Sequence, residues 1–116
     1  MAVLIAAAMV LVGQVTDDQA EPTVAQTPHE YLYATYPSMA RRLDCMIQGE
    51  SSWLPGAVGY RGWYVGLAQF DLPTWYETPQ GAAGASRYDP YASIDAMAWG
   101  VRNLGYGRWP VTSRRC

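Results

Sequence analysis

Apolar and polar positions along this chain fall into blocks that read as helices joined by glycine- and proline-rich connections. The first block, Ala2 to Val12, is continuously apolar. It is shorter than the roughly 20 residues needed to span a bilayer but suits the core of an export signal, although no basic segment precedes it. Residues 1–20 are therefore expected to be an export signal ending near Ala20, with a misassigned start or a short membrane-associated stub as alternatives. Residues 21–27 lack apolar periodicity and read as a linker. The domain proper is expected over residues 28–116. It opens with Thr27-Pro28-His29-Glu30, a capping box with proline at the first helical position, which predicts a short helix over 28–36.

Met39, Leu43, Met46 and Ile47 then recur at three- and four-residue spacing, and the next step of that stripe is Glu50. The pattern predicts a helix whose end points a carboxylate inward. Gly49 and Trp53-Leu54-Pro55-Gly56 mark where the helix stops. Gly56, Gly59, Gly62 and Gly66 exclude a long helix, so a loop or a short hairpin around Trp63-Tyr64-Val65 should lie beside it. Asp71 opens a brief helix over 72–78, and residues 81–86, GAAGAS, read as a mobile surface loop. Asp89-Pro90 starts the longest helix, with Ile94, Met97, Ala98, Val101 and Leu104 on its core face and Gly105 as its stop. The tail, YGRWPVTSRRC, is aromatic and basic. The fold class expected is mainly α, with a glycine-rich loop or short hairpin beside the helix that carries Glu50.

At 116 residues there is room for one modest core. Five Trp and nine Tyr against one Phe favour surfaces that meet a partner as well as a core. Net charge is −2, every basic residue is Arg, and the two pairs Arg41-Arg42 and Arg114-Arg115 form no basic stripe along the sequence, so nucleic acid is not an expected partner. Without residues 1–20, eight Arg face eight acids, which leaves no net charge to steer a ligand. Cys45 and Cys116 are expected to form a disulfide in an exported protein, closing a loop of about 72 residues worth roughly 4 kcal/mol at best; two free thiols are the alternative. The lone His29, in an exposed first turn, gives no basis for a metal site, and no cofactor is implied.

Glu50 is the chemical focus. A carboxyl at an apolar wall holds its proton to higher pH, as a general acid must. Cleavage of a glycosidic bond needs such an acid to protonate the departing oxygen. Aromatic faces can stack on sugar rings, and an amide such as Gln69 can bond their polar groups. Trp63 and Tyr64 are the aromatic candidates, whereas Trp53, Trp75, Trp99 and Trp109 are assigned to the core. Asp71 and Asp89 read as helix caps, and Glu77 and Asp95 as solvated.

Glu50-Ser51-Ser52-Trp53-Leu54-Pro55-Gly56-Ala57, followed by Gly66-Leu67-Ala68-Gln69, resembles the signature of the soluble lytic transglycosylase and goose-type lysozyme superfamily. Asp89-Pro90-Tyr91-Ala92-Ser93-Ile94 is similar to that family's second block, and together the likeness covers roughly residues 38–110. Ala68 stands where the family has Met and Ser93 where it has Asn; the interval from Glu50 to Gln69 is one residue longer than common. The resemblance implies a small lysozyme-like domain in which Glu50 is general acid and then base at the β-1,4 bond between N-acetylmuramic acid and N-acetylglucosamine of peptidoglycan. It further implies that Ser51 and Gln69 contact substrate, with Tyr106 or Tyr88 in place of the family's later tyrosine. The sugar's own 6-hydroxyl would attack, leaving a 1,6-anhydro end without a second carboxylate. A hydrolytic muramidase, of lysozyme or resuscitation-factor type, and a non-catalytic glycan-binding wall module are the competing expectations. The protein is expected to be a monomer, secreted or in the cell envelope, with peptidoglycan strands as its partner.

Overall fold

The structure is a computed structural model and describes residues 26–116. The expected export signal and all but the last two residues of the linker lie outside that range. Helix α1, Pro28–Thr35, begins as its capping box requires: the Glu30 amide donates to Thr27 Oγ1 at 3.1 Å and the Thr27 amide to Glu30 Oε1 at 2.9 Å. Helix α2, Ala40–Ser51, buries Leu43, Met46 and Ile47 of the stripe legible in the sequence, together with Ala40, while Met39 is its N-cap and only half-buried. Ser52 follows in the left-handed conformation and ends it.

A hairpin comes next. Strands β1, Val58–Gly59, and β2, Tyr64–Val65, pair antiparallel with Val58 opposite Val65, joined by a 3₁₀ turn over Tyr60–Gly62. Helix α3, Leu72–Glu77, is capped by Asp71, whose carboxylate accepts from the Thr74 amide at 2.8 Å. Helix α4, Pro79–Ala82, is capped by the buried Thr78. It takes Gly81 and Ala82 out of the surface loop expected over 81–86, while 83–86 are non-helical and mostly exposed. Gly81 is buried, and a Cβ there would lie 2.0 Å from the Trp75 carbonyl oxygen.

Helix α5, Pro90–Leu104, is the central element, capped by Asp89 and ended at Gly105, whose φ of 87° suits only glycine. Asp95 is not solvated as expected. It accepts from the hydroxyls of Tyr31 at 2.7 Å and Tyr36 at 2.6 Å, which ties α1 to α5. A 3₁₀ turn, Tyr106–Arg108, then leads into α6, Pro110–Arg115, a helix the sequence pattern does not announce.

Trp75 and Trp109 are core residues, each meeting Phe70 edge-to-face, with indole nitrogens donating to the carbonyls of Ala85 and Ala68. Trp99 is only half-buried. Cys45 and Cys116 form the disulfide, which locks α6 onto α2 with a Cα–Cα separation of 5.8 Å. Among the described residues no helix is long and apolar enough to cross a membrane.

Candidate active site

Glu50 lies in the last turn of α2, half-buried, at the edge of a cavity of about 250 Å³. The hairpin and the loop after it contribute Tyr64 and Gln69, while the C-terminal segment contributes Arg108, Trp109, Pro110 and Val111. Thr112 Oγ1 donates to Glu50 Oε2 at 2.7 Å. Burial pushes the Glu50 carboxyl up from its ordinary value of 4.5, and the Thr112 hydrogen bond offsets part of that rise.

The closeness of α6 to α2 has a local cause. Gly49 offers no side chain, and a Cβ there would lie 2.8 Å from Thr112 Cγ2. Gly100 does the same for α5, where a Cβ would lie 2.9 Å from the Trp109 ring. Two glycines on helix faces thus let the tail settle deeply enough for Thr112 to reach Glu50.

Of the residues singled out from sequence, the structure brings Glu50, Tyr64 and Gln69 to one cavity. Gln69 has a φ of 51°, and its amide nitrogen donates to the carbonyls of Ala57 at 3.2 Å and Gly66 at 3.0 Å. Its amide therefore clasps the hairpin to the following loop. Gly59 makes room for it, since a Cβ there would lie 2.5 Å from Gln69 Oε1.

The other candidates lie apart. Ser51 is buried, and its hydroxyl donates to the Ile47 carbonyl, outside the lining of the cavity. Trp63 is exposed and borders a separate apolar cavity of about 290 Å³ with Gly62, Leu72, Pro73 and Arg87. The Tyr106 ring lies beneath the Arg42 guanidinium, 3.7 Å from its centroid, and packs on the core. Tyr88 is exposed and lines neither cavity. Trp53 is only half-buried: it donates to Asp44 at 2.8 Å and stacks on His29 with 3.6 Å between ring centroids. That stack gives His29 a partner the sequence reading did not foresee.

Asp71 borders a small cleft of about 30 Å³ that shares Tyr64, Gln69, Arg108 and Trp109 with the larger cavity. Glu77 is exposed, as expected of a solvated face, and pairs there with Arg108 at 3.3 Å. Among the described residues no three His, Cys, Asp or Glu side chains gather as a metal site would require.

Among the described residues, five other than glycine have positive φ: Ser52, Trp53, Tyr60, Arg61 and Gln69. All lie between the end of α2 and the start of α3. Such conformations cost on the order of 1–2 kcal/mol each, and their concentration beside Glu50 is typical of a segment shaped for a site rather than for stability.

Sequence reasoning missed Thr112, Arg108, Pro110 and Val111, and it placed Trp109 only in the core. A signal for them existed. Cys45 and Gly49 are four residues apart, as are Thr112 and Cys116. Once the cysteines are paired, two helices running in opposite directions place Thr112 opposite Gly49. No family model, curated protein or solved structure matches this chain.

Proposed function

We propose that the protein is a peptidoglycan-cleaving lytic transglycosylase with a lysozyme-like domain, acting at the β-1,4 bond between N-acetylmuramic acid and N-acetylglucosamine. The observation that carries this reading is a half-buried carboxyl with a raised pKa at a cavity bearing an aromatic and an amide side chain. Thr112 donates to Oε2, so Oε1 is the oxygen to which we assign the acid's proton. Glu50 donates it to the bridging oxygen as the bond to C1 breaks and positive charge grows on the sugar ring. The carboxylate then accepts the proton of the 6-hydroxyl as that oxygen bonds to C1, closing the 1,6-anhydro ring. The acid is regenerated, and no water or second carboxylate takes part. Glu50 is the one carboxylate in the cavity lining among the described residues, which suits this route. Tyr64 offers a face for a sugar ring, and Gln69 shapes the wall beside it. The disulfide is compatible with export to an oxidising compartment.

Asp71 favours one second reading, a hydrolytic muramidase. It borders the adjoining cleft and could hold a water there, although its carboxylate already caps α3.

The test is mass spectrometry of the fragments the purified chain releases from peptidoglycan. Anhydro-muramyl ends are expected. Reducing ends would move the reaction to hydrolysis, and no soluble fragments at all would leave a glycan-binding module.

A further inference from the structure

The seven acidic side chains between residues 26 and 116 all have partners inside the chain. Asp71, Asp89 and Glu30 serve helix caps. Asp44 and Asp95 accept from tyrosine and tryptophan donors, Glu50 from Thr112, and Glu77 pairs with Arg108. Of the eight arginines, Arg108 alone has a carboxylate within ion-pair distance among the described residues. Of the others, Arg42 and Arg87 donate to backbone carbonyls and Arg102 lies over the Tyr36 ring.

Four of the arginines meet at one corner. Arg41 and Arg42 lie in the first turn of α2, and Arg114 and Arg115 in the last turn of α6; all four are exposed. The Cys45–Cys116 disulfide joins the next turn of α2 to the residue that follows α6. Arg41 precedes Cys45 by four residues and shares its helix face, while Arg115 adjoins Cys116. Arg42 donates to the Ser113 carbonyl at 3.1 Å and is stacked on Tyr106. Two pairs that look unrelated along the sequence are thus brought to the same junction of α2 and α6, where Arg42 is held in place. Their mutual repulsion does not help the fold.

The chemistry of the corner is specific to arginine, for the chain has no lysine. Guanidinium forks match phosphate oxygens two at a time. We propose that this corner docks an anionic wall polymer, a polyol chain linked by phosphodiesters and carried on the glycan strand that Glu50 would cleave. This rests on the proposed function. Val111, at the Glu50 cavity, and Arg115 share one helix about 6 Å apart along its axis. A polymer attached to a bound strand is therefore within reach of the corner. A membrane surface fits less well, because bilayer docking uses several apolar side chains beside the charges, and on α2 and α6 the exposed large apolar residue is Val111, which lines the Glu50 cavity. A nucleic-acid duplex calls for a longer basic stripe.

The test uses the full chain with its disulfide intact and fluorescent poly(glycerol phosphate), followed by anisotropy at two salt concentrations. Binding should weaken about tenfold between roughly 50 and 150 mM salt, as about three phosphate contacts require. The triple variant Arg41→Gln, Arg114→Gln, Arg115→Gln should bind at least about tenfold more weakly, with an unchanged melting temperature. Arg42 is left in place because it is part of the packing. Equal binding by the triple variant, indifference to salt, or equal or tighter binding of phosphatidylglycerol vesicles or of a DNA duplex would overturn the proposal. In the parent chain, failure of the enzymatic reading shows as absent glycan cleavage with polymer binding retained, and failure of the docking proposal as cleavage without polymer binding.

Discussion

Glu50 and Thr112 are 62 residues apart in sequence and 2.7 Å apart in space, and the acid's titration depends on both. Burial raises the carboxyl, and the hydroxyl holds it back. Because the folded value lies above the ordinary 4.5, the folded state binds the proton more tightly than the unfolded state does. The stability this contributes is complete below the unfolded value and is lost as pH rises through the folded one. Thr112→Val removes the donor at nearly constant volume, so the Glu50 carboxyl should titrate still higher, while Thr112→Ser should restore the parent value. Carbon-13 NMR titration of the side-chain carboxyl reads this directly; an unchanged value in the valine variant would remove Thr112 from the account. The inward aim of Glu50 was legible in sequence as one more step on the stripe of Leu43, Met46 and Ile47. Its partner was not, because a threonine in a basic tail carries no mark of burial.

At the level of elements, the helices with strong caps were readable: Thr27, Asp71 and Asp89 each sit where their helix begins. The hairpin was harder. Left-handed positions are normally announced by glycine; Gly62 and Gly66 do have positive φ here, but so do Ser52, Trp53, Tyr60, Arg61 and Gln69. Gly59 serves instead to admit the Gln69 amide. Helix α6 escaped notice because its six residues, led by Pro110, are too few to show a period. Its seat depends on Gly49. Gly49→Ala gains helix propensity of about 1 kcal/mol but forces a methyl to within 2.8 Å of Thr112. Overpacking of this kind costs about 1–3 kcal/mol, so the variant should be neutral to destabilised in denaturant unfolding. It should also shift the Glu50 titration in the same direction as Thr112→Val. A normal Glu50 titration in Gly49→Ala would mean that α6 can retreat without losing the hydrogen bond.

For the molecule as a whole, the disulfide does more than close a long loop. It holds in place the segment that forms one wall of the Glu50 cavity and half of the arginine corner. Replacing both cysteines by serine should lower stability by about 2–4 kcal/mol and weaken glycan cleavage beyond what the lost stability explains. Assays well below the variant's melting temperature separate the two effects. Full activity there would show that α6 stays seated by packing alone. The pairing itself was legible from two cysteines in a small chain, but its consequence needed the four-residue register shared by the two helices.

If Glu50 is the proton donor for glycan cleavage, Glu50→Gln removes that proton and little else, since the amide keeps the shape and can still accept from Thr112. Initial rates on purified glycan strands should fall by at least about 100-fold at neutral pH, with the variant folded as judged by its melting curve. A folded Glu50→Gln protein that cleaves at the parent rate would contradict the account.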